Sequence, residues 1–391
     1  MHGHHFGRNA FLLATAQGLY LISGVTYIMF MGLAGQMLAD VKWLATLPVA
    51  LMTVGTATAT VPMSLLMRRI GRRAGFLIGA TAGAGSGALG AFAISQGSFE
   101  LFCAATLVMG VYQACSQYYR FASIESAPRD QVGRAVSFVL LGGVLSALVG
   151  PTIAVASRDL LSPVPFAGGF LVSAVVAVVA MVPLALIRIP RPMEEESGEG
   201  ARPLLVIARQ PAFVAAVLNA ATSYGLMVLV MTATPIAMVG CGFAMDDTGH
   251  VIQGHVLAMF VPSFFTGTLI KRFGVVPVLF TGMALFGLAA AAALAGQAFG
   301  NFTVALILLG VAWNFLFVGG TTLLTEAYRP AEKAKVQGVN EFIVFAAAAS
   351  GSFSSGGLLH LSGWDAVNWF MAPFLAMTFA ATAWYARSRR A

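Results

Sequence analysis

Twelve mostly apolar stretches follow one another along this 391-residue chain, at residues 10–38, 43–67, 74–95, 99–122, 134–157, 165–188, 211–240, 248–270, 275–297, 301–325, 336–360 and 365–387. Each is close to or above the ~20 residues that an α-helix needs to cross the hydrocarbon core of a bilayer. Backbone amides and carbonyls find no water inside lipid, so a spanning segment must satisfy its own hydrogen bonds as a helix or pair in a closed barrel. The ten-residue alternating strands of a barrel are absent. The expected fold is therefore all-α, with twelve transmembrane helices.

Composition agrees with a life in lipid. Apolar residues make up 58% of the chain and charged residues 9%, with a mean hydropathy of +0.84, against roughly a quarter charged in soluble domains. The net charge of +7 does not point to nucleic acid, because its distribution follows topology. With twelve spans and a cytoplasmic start, 20 of the 22 Lys and Arg residues fall in cytoplasmic segments, leaving only Lys42 and Arg158 outside. The positive-inside rule then places both termini in the cytoplasm. The first apolar run is too long for the core of a secretory signal and lacks a small-residue cleavage pattern. Three cysteines, Cys103, Cys115 and Cys241, imply no disulfide framework.

The longest polar interruption, with Pro190, Pro192, Pro203 and the acidic run Glu194, Glu195, Glu196 and Glu199, divides the spans six and six. The expected organisation is a bundle over 1–188, a cytoplasmic linker over 189–210 and a second bundle over 211–391. The halves echo one another. Arg68-Arg69-Ile70-Gly71 matches Lys271-Arg272-Phe273-Gly274 at an offset of 203, and Glu125 matches Glu326 at 201, which reads as a duplication. Two six-span halves with short basic loops resemble the major facilitator superfamily, and MRRIGRRAG at 67–75 is a loose form of that family's loop motif. The resemblance implies a secondary transporter that holds its cargo near the midplane and alternates access by rocking two halves. Small residues, among them Gly79, Gly83, Gly87, Gly143 and Gly150, suit close helix packing.

Two helices of the second half carry soft-metal donors four residues apart: Met227 and Met231 on span 7, His255 and Met259 on span 8. Residues at this spacing stand one above the other on a helix face. Six histidines and 18 methionines in 391 residues give about 0.3 chance HxxxM matches, so depth is the stronger argument. At ~1.5 Å per residue, Met231 lies about 14 Å, His255 about 10 Å and Met259 about 16 Å below the external helix ends, so the pairs are expected at one level. Met238, Cys241 and Met245 extend a sulfur stripe outward if span 7 continues past Pro235, Gly240 and Gly242. Met29 on span 1 reaches a similar depth. Thioether, thiolate and imidazole together favour Cu(I), and an ionisable residue inside a span, here His255, is a functional candidate by default.

The pair of motifs is similar to that of the CcoA-like copper importers, a bacterial branch of the same superfamily. That resemblance implies copper binding at Met227, Met231, His255 and Met259, a functional membrane cysteine at Cys241, and copper uptake across the bacterial inner membrane for cytochrome oxidase assembly. A cytoplasmic copper acceptor is a further candidate partner. The His-rich start Met1-His2-Gly3-His4-His5 is a compositional metal tract. No prosthetic group is expected, the partners being copper, the lipid bilayer and that acceptor, with the chain acting as a monomer and without nucleic acid. The alternative is a carrier of a small aromatic organic solute such as riboflavin, resting on Gln113, Gln117, Tyr118 and Arg120 at the end of span 4, which offer stacking and amide groups together. No nucleophile with a paired base and no P-loop is present, so no enzymatic activity is expected.

Overall fold

The structure, a computed structural model, describes residues 3–119, 122–123, 132–189, 202–329 and 332–389. Among these it is helical throughout. Besides the short helical turns Lys42–Leu44 and Leu204–Ala208, the helices in order are α1 Gly3–Leu38, α2 Leu47–Ile70, α3 Arg72–Ser95, α4 Phe99–Ser116, α5 Val132–Ser157, α6 Ala167–Leu186, α7 Pro211–Gly240, α8 Met245–Phe260, α9 Ser263–Phe273, α10 Val275–Leu294, α11 Phe299–Leu324, α12 Lys333–Trp369 and α13 Met371–Ser388. Nine segments among the described residues are long and apolar enough to cross a membrane, and the bent pair α8–α9 makes a tenth. One of the nine, Lys335–Ser388, holds 54 residues. At ~1.5 Å per residue that is about 80 Å, far more than one crossing requires. It breaks at Gly363, whose φ is 78°, and again at Phe370 between α12 and α13. Arg120, Glu125 and the acidic run of the linker lie outside the described residues.

Two compact units divide the chain at Met193–Glu194. In the first, α1 packs on α5 and α6, α2 on α4, and α3 on α4 and α6. In the second, α7 packs on α12 and α13, the α8–α9 span on α11, and α10 on α11 and α13. The same pairing scheme thus occurs twice, shifted by six spans. The loop glycines share it: Gly71 has φ 92° and ψ 157°, Gly274 has φ 87° and ψ 163°, a conformation open to glycine alone. Two pairings are unequal: α7 packs extensively on α11, whereas α1 meets α4 only slightly, and α3 packs far more on α6 than α10 does on α13.

Close contact is built from small residues, as helices in lipid require. A Cβ on Gly83 would fall 2.2 Å from the Tyr112 ring, one on Gly87 2.7 Å from the backbone of α6, and one on Gly351 2.4 Å from the Gly225 carbonyl. Buried hydroxyls and amides are tied across helices. Tyr27 donates to Ser86 Oγ at 2.6 Å, because the Ser86 proton goes to the Ala105 carbonyl, also at 2.6 Å. In the second unit Asn219 donates to Thr382 Oγ1 at 2.8 Å.

Between α11 and α12, outside the spans, the Glu332 carboxylate accepts from Arg202 Nε at 2.8 Å, Arg202 Nη2 at 2.7 Å and the backbone N–H groups of Arg202 and Arg329 at 2.8 and 2.9 Å. The Arg202 guanidinium chiefly, helped by those amides against the cost of burial, holds this carboxyl well below the usual carboxylate range. A carboxyl depressed in the folded state stabilises fully above its ordinary value, and that contribution is lost as pH falls towards the depressed one. Thermal unfolding of the detergent-solubilised protein is therefore expected to lose stability as pH drops below about 4.5, the ordinary range for glutamate, with Glu332→Gln removing part of that slope. An unchanged slope in the variant would show that the cluster does not stabilise the fold.

Candidate functional site

The sulfur- and nitrogen-bearing residues singled out in the second half all lie in the second unit. Met227, Met231 and Met259 are buried, and His255 is fully so. His255 does not turn its ring fully towards α7: its Nδ1 lies 2.7 Å from the Leu306 carbonyl of α11. A carbonyl only accepts, so Nδ1 carries the proton, and Nε2 is left buried without a hydrogen-bond partner. A histidine fixed in this way presents one bare lone pair, the arrangement seen when a carbonyl orients a metal-ligating imidazole. Equal depth does not make α7 and α8 close neighbours. These two touch only lightly, and α8 lies against α11 instead.

The contacts of α8 advance along α11 in the same direction. His255 meets Leu306, while the Met259 carbonyl accepts from Asn314 Nδ2 at 2.8 Å, so the two helices run parallel, as two even-numbered spans must. Asn314 also donates to Ser263 Oγ at 2.6 Å and accepts from Thr266 Oγ1 at 2.6 Å. It therefore clasps both sides of the break between α8 and α9, where the span bends by 40°. Pro262 causes the break, lacking the N–H that would continue the ladder, and Ser263 starts a new helix, freeing the Met259 carbonyl for Asn314.

The outer stripe is corrected by the end of α7. The helix runs through Pro235 but stops at Gly240, and Gly242 turns the chain at φ 89°. Met238 stays fully buried on α7. Cys241 caps the helix, exposed, its thiol 3.1 Å from Gln297 Oε1, and Met245 becomes the first residue of α8. Met29 is fully buried within the first unit. Among the described residues no three His, Cys, Asp or Glu gather to hold a metal ion, so any copper site in this region depends on thioethers and His255.

Two side chains at the polar end of span 4 have partners on α2. Gln113 Oε1 accepts from Thr56 Oγ1 at 2.8 Å, and the Tyr118 hydroxyl donates to the Thr60 carbonyl at 3.0 Å. Both therefore tie α4 and its cap to α2, and the Arg72 guanidinium sits 5.4 Å over the Tyr118 ring. Gln117 is half-buried at the helix end.

A different group, unmarked by the motifs, converges from four helices of the second unit. Trp313 and Phe317 of α11 stack at 4.9 Å and 11°. Tyr224 of α7 lies 5.9 Å from Trp313, 5.7 Å from Phe317 and 5.9 Å from Phe345 of α12. Phe260, at the end of α8, reaches Trp313 at 6.3 Å. Tyr224, Phe260 and Phe317 are half-buried, whereas Trp313 is 6% exposed and its Nε1 has no partner. The signal in the sequence was the dipeptide Trp313-Asn314 in mid-span, since tryptophan favours the membrane interfaces and a buried amide needs partners.

Comparison with known proteins adds the following. The Major Facilitator Superfamily family model matches residues 11–261 and 229–391. The riboflavin transporter RfnT of Brucella anthropi is 43% identical over 372 residues, covering 95% of this chain and 94% of that protein. Two uncharacterized MFS-type transporters of Bacillus subtilis (strain 168) are also similar. YdeG is 31% identical over 391 residues, covering 93% of this chain and 88% of its own length. YddS is 29% identical over 366 residues, covering 88% and 83%.

Asn314→Ala removes both donors from the break and leaves the Met259 carbonyl unpaired. A buried acceptor without its partner costs about 1–3 kcal/mol, so thermal unfolding in detergent is expected several degrees below wild type. Equal stability would show that Pro262 alone sets the bend.

Proposed function

The chain belongs to the major facilitator superfamily, and we propose that within it the cargo is a flat aromatic solute of the riboflavin class. The observation that carries this reading is the 43% identity to a riboflavin transporter along 95% of the chain. It also favours the organic-solute alternative over the copper-importer resemblance. The aromatic group of the second unit fits the chemistry, since a flat ring gains most from offset or edge contacts with other rings. On this reading the protein is a secondary transporter of the bacterial inner membrane, with both termini in the cytoplasm, that takes up its cargo by alternating access between its two repeats.

A second reading, copper uptake, rests on a different observation. His255 keeps a buried Nε2 without a partner on the same turns as Met259, and Met227 and Met231 are buried in the same unit.

Uptake of radiolabelled riboflavin and of Cu(I) by proteoliposomes separates the two. The primary reading predicts saturable riboflavin uptake that His255→Ala and Met231→Ala largely retain. Copper accumulation that both substitutions abolish, with no riboflavin uptake by the wild type, would transfer the assignment to the second reading.

A further inference from the structure

The second unit departs from the first in the extensive packing of α7 on α11, among other places, and the aromatic group occupies that contact. The two repeats make the departure measurable. In the first unit Tyr20 of α1 meets Tyr112 of α4 edge to face at 5.1 Å. The step from Tyr20 to Tyr224 is 204 residues and from Tyr112 to Trp313 is 201, close to the 203 that relates the two loop motifs. An edge-to-face aromatic pair therefore links the corresponding helices in both units. Its first copy is closed, with Tyr20 5% and Tyr112 0% exposed. In its second copy Trp313 is 6% exposed, but Tyr224 is half-buried, as are Phe317 and Phe260 beside it.

Depth and hydrogen bonding mark the second copy further. Trp313 stands 14 residues into a 26-residue helix, at its middle, far from the interfaces where an indole normally finds water or headgroups. Buried indole N–H groups normally have a partner. Trp364 shows the ordinary case, donating to the Ala293 carbonyl at 3.2 Å, whereas Trp313 Nε1 donates to nothing. A deep aromatic surface, half-buried at Tyr224, Phe317 and Phe260, with one buried, unspent donor among its rings, matches a flat heteroaromatic ring edged with carbonyl oxygens and ring nitrogens.

We propose that the second aromatic pair is the cargo seat, with Tyr224 and Phe317 against the ring of the cargo and the Trp313 indole N–H donating to an acceptor on its edge. This rests on the aromatic-solute reading and names the residues that would recognise such a cargo.

Riboflavin is the probe, since its emission is quenched on contact with an electron-rich ring. Wild type reconstituted in nanodiscs is expected to quench it saturably. Trp313→Phe keeps a ring and loses the donor, and Trp313→Leu loses both. Trp313 backs the Phe317 ring, and stacking on one aromatic side chain is worth about 5- to 150-fold in affinity, so the leucine variant, which loses the donor and the ring that holds Phe317, should weaken quenching and raise the uptake KM by up to that order, with the phenylalanine variant between. Trp364→Phe, in a tryptophan whose N–H is already given to the Ala293 carbonyl, should bind as wild type. Should Trp313→Phe and Trp313→Leu both bind as wild type, the seat is elsewhere and the solute reading survives. Should folded wild type neither bind nor carry riboflavin, the reading itself fails. If the leucine variant does not fold, the phenylalanine variant decides: unchanged affinity overturns the role of the N–H, and a loss supports it.

Discussion

Inside a bilayer every polar atom must find a protein partner, and this requirement orders the structure more than any single contact. Helices satisfy the backbone, and side chains close the gaps that the helices leave. Asn314 serves the carbonyl freed at the bend between α8 and α9, Ser86 serves both Tyr27 and the Ala105 carbonyl, and Asn219 reaches across to Thr382. Against that background the few buried polar atoms without partners carry information. Two of them, His255 Nε2 and Trp313 Nε1, lie in the second unit on helices that pack together. They are the atoms on which the two proposed readings draw, His255 Nε2 for a soft metal ion and Trp313 Nε1 for a flat ring. The 43% identical relative is what favours the ring.

The duplication supplies the second organising constraint. Pairing scheme, glycine backbone and aromatic pair all recur with nearly the same offset, so the two units are variations on one six-helix design. In a duplicated transporter, differences between the copies are more informative than features they share. The extensive contact of α7 with α11 is such a difference, and it brings Tyr224 beside Trp313.

The spans were legible because each apolar run is long and its charges are sorted by side. Their interruptions were harder to see. Pro262 lies inside an apolar window, and hydropathy averages across a break whose partner, Asn314, is 52 residues further on. Periodicity put Met227, Met231, His255 and Met259 at one depth but said nothing of helix order, and α8 packs on α11 rather than broadly on α7. Gln113 and Tyr118 read as polar groups for a solute, yet their partners on α2 are invisible without the fold. Trp313 was passed over because in mid-span an indole counts as one more apolar residue. Only its neighbours show that the N–H is unspent.

The sharpest test of the aromatic seat is photochemical. Excited riboflavin oxidises the tryptophan or tyrosine that it touches, so illumination of the reconstituted protein with substoichiometric riboflavin, followed by mass spectrometric mapping, reports where the ring sits. The account predicts oxidation of Trp313 or Tyr224 ahead of Trp369, although Trp369 is 66% exposed and Trp313 only 6%. Oxidation that tracks exposure, with Trp369 modified first and Trp313 and Tyr224 untouched, would contradict it.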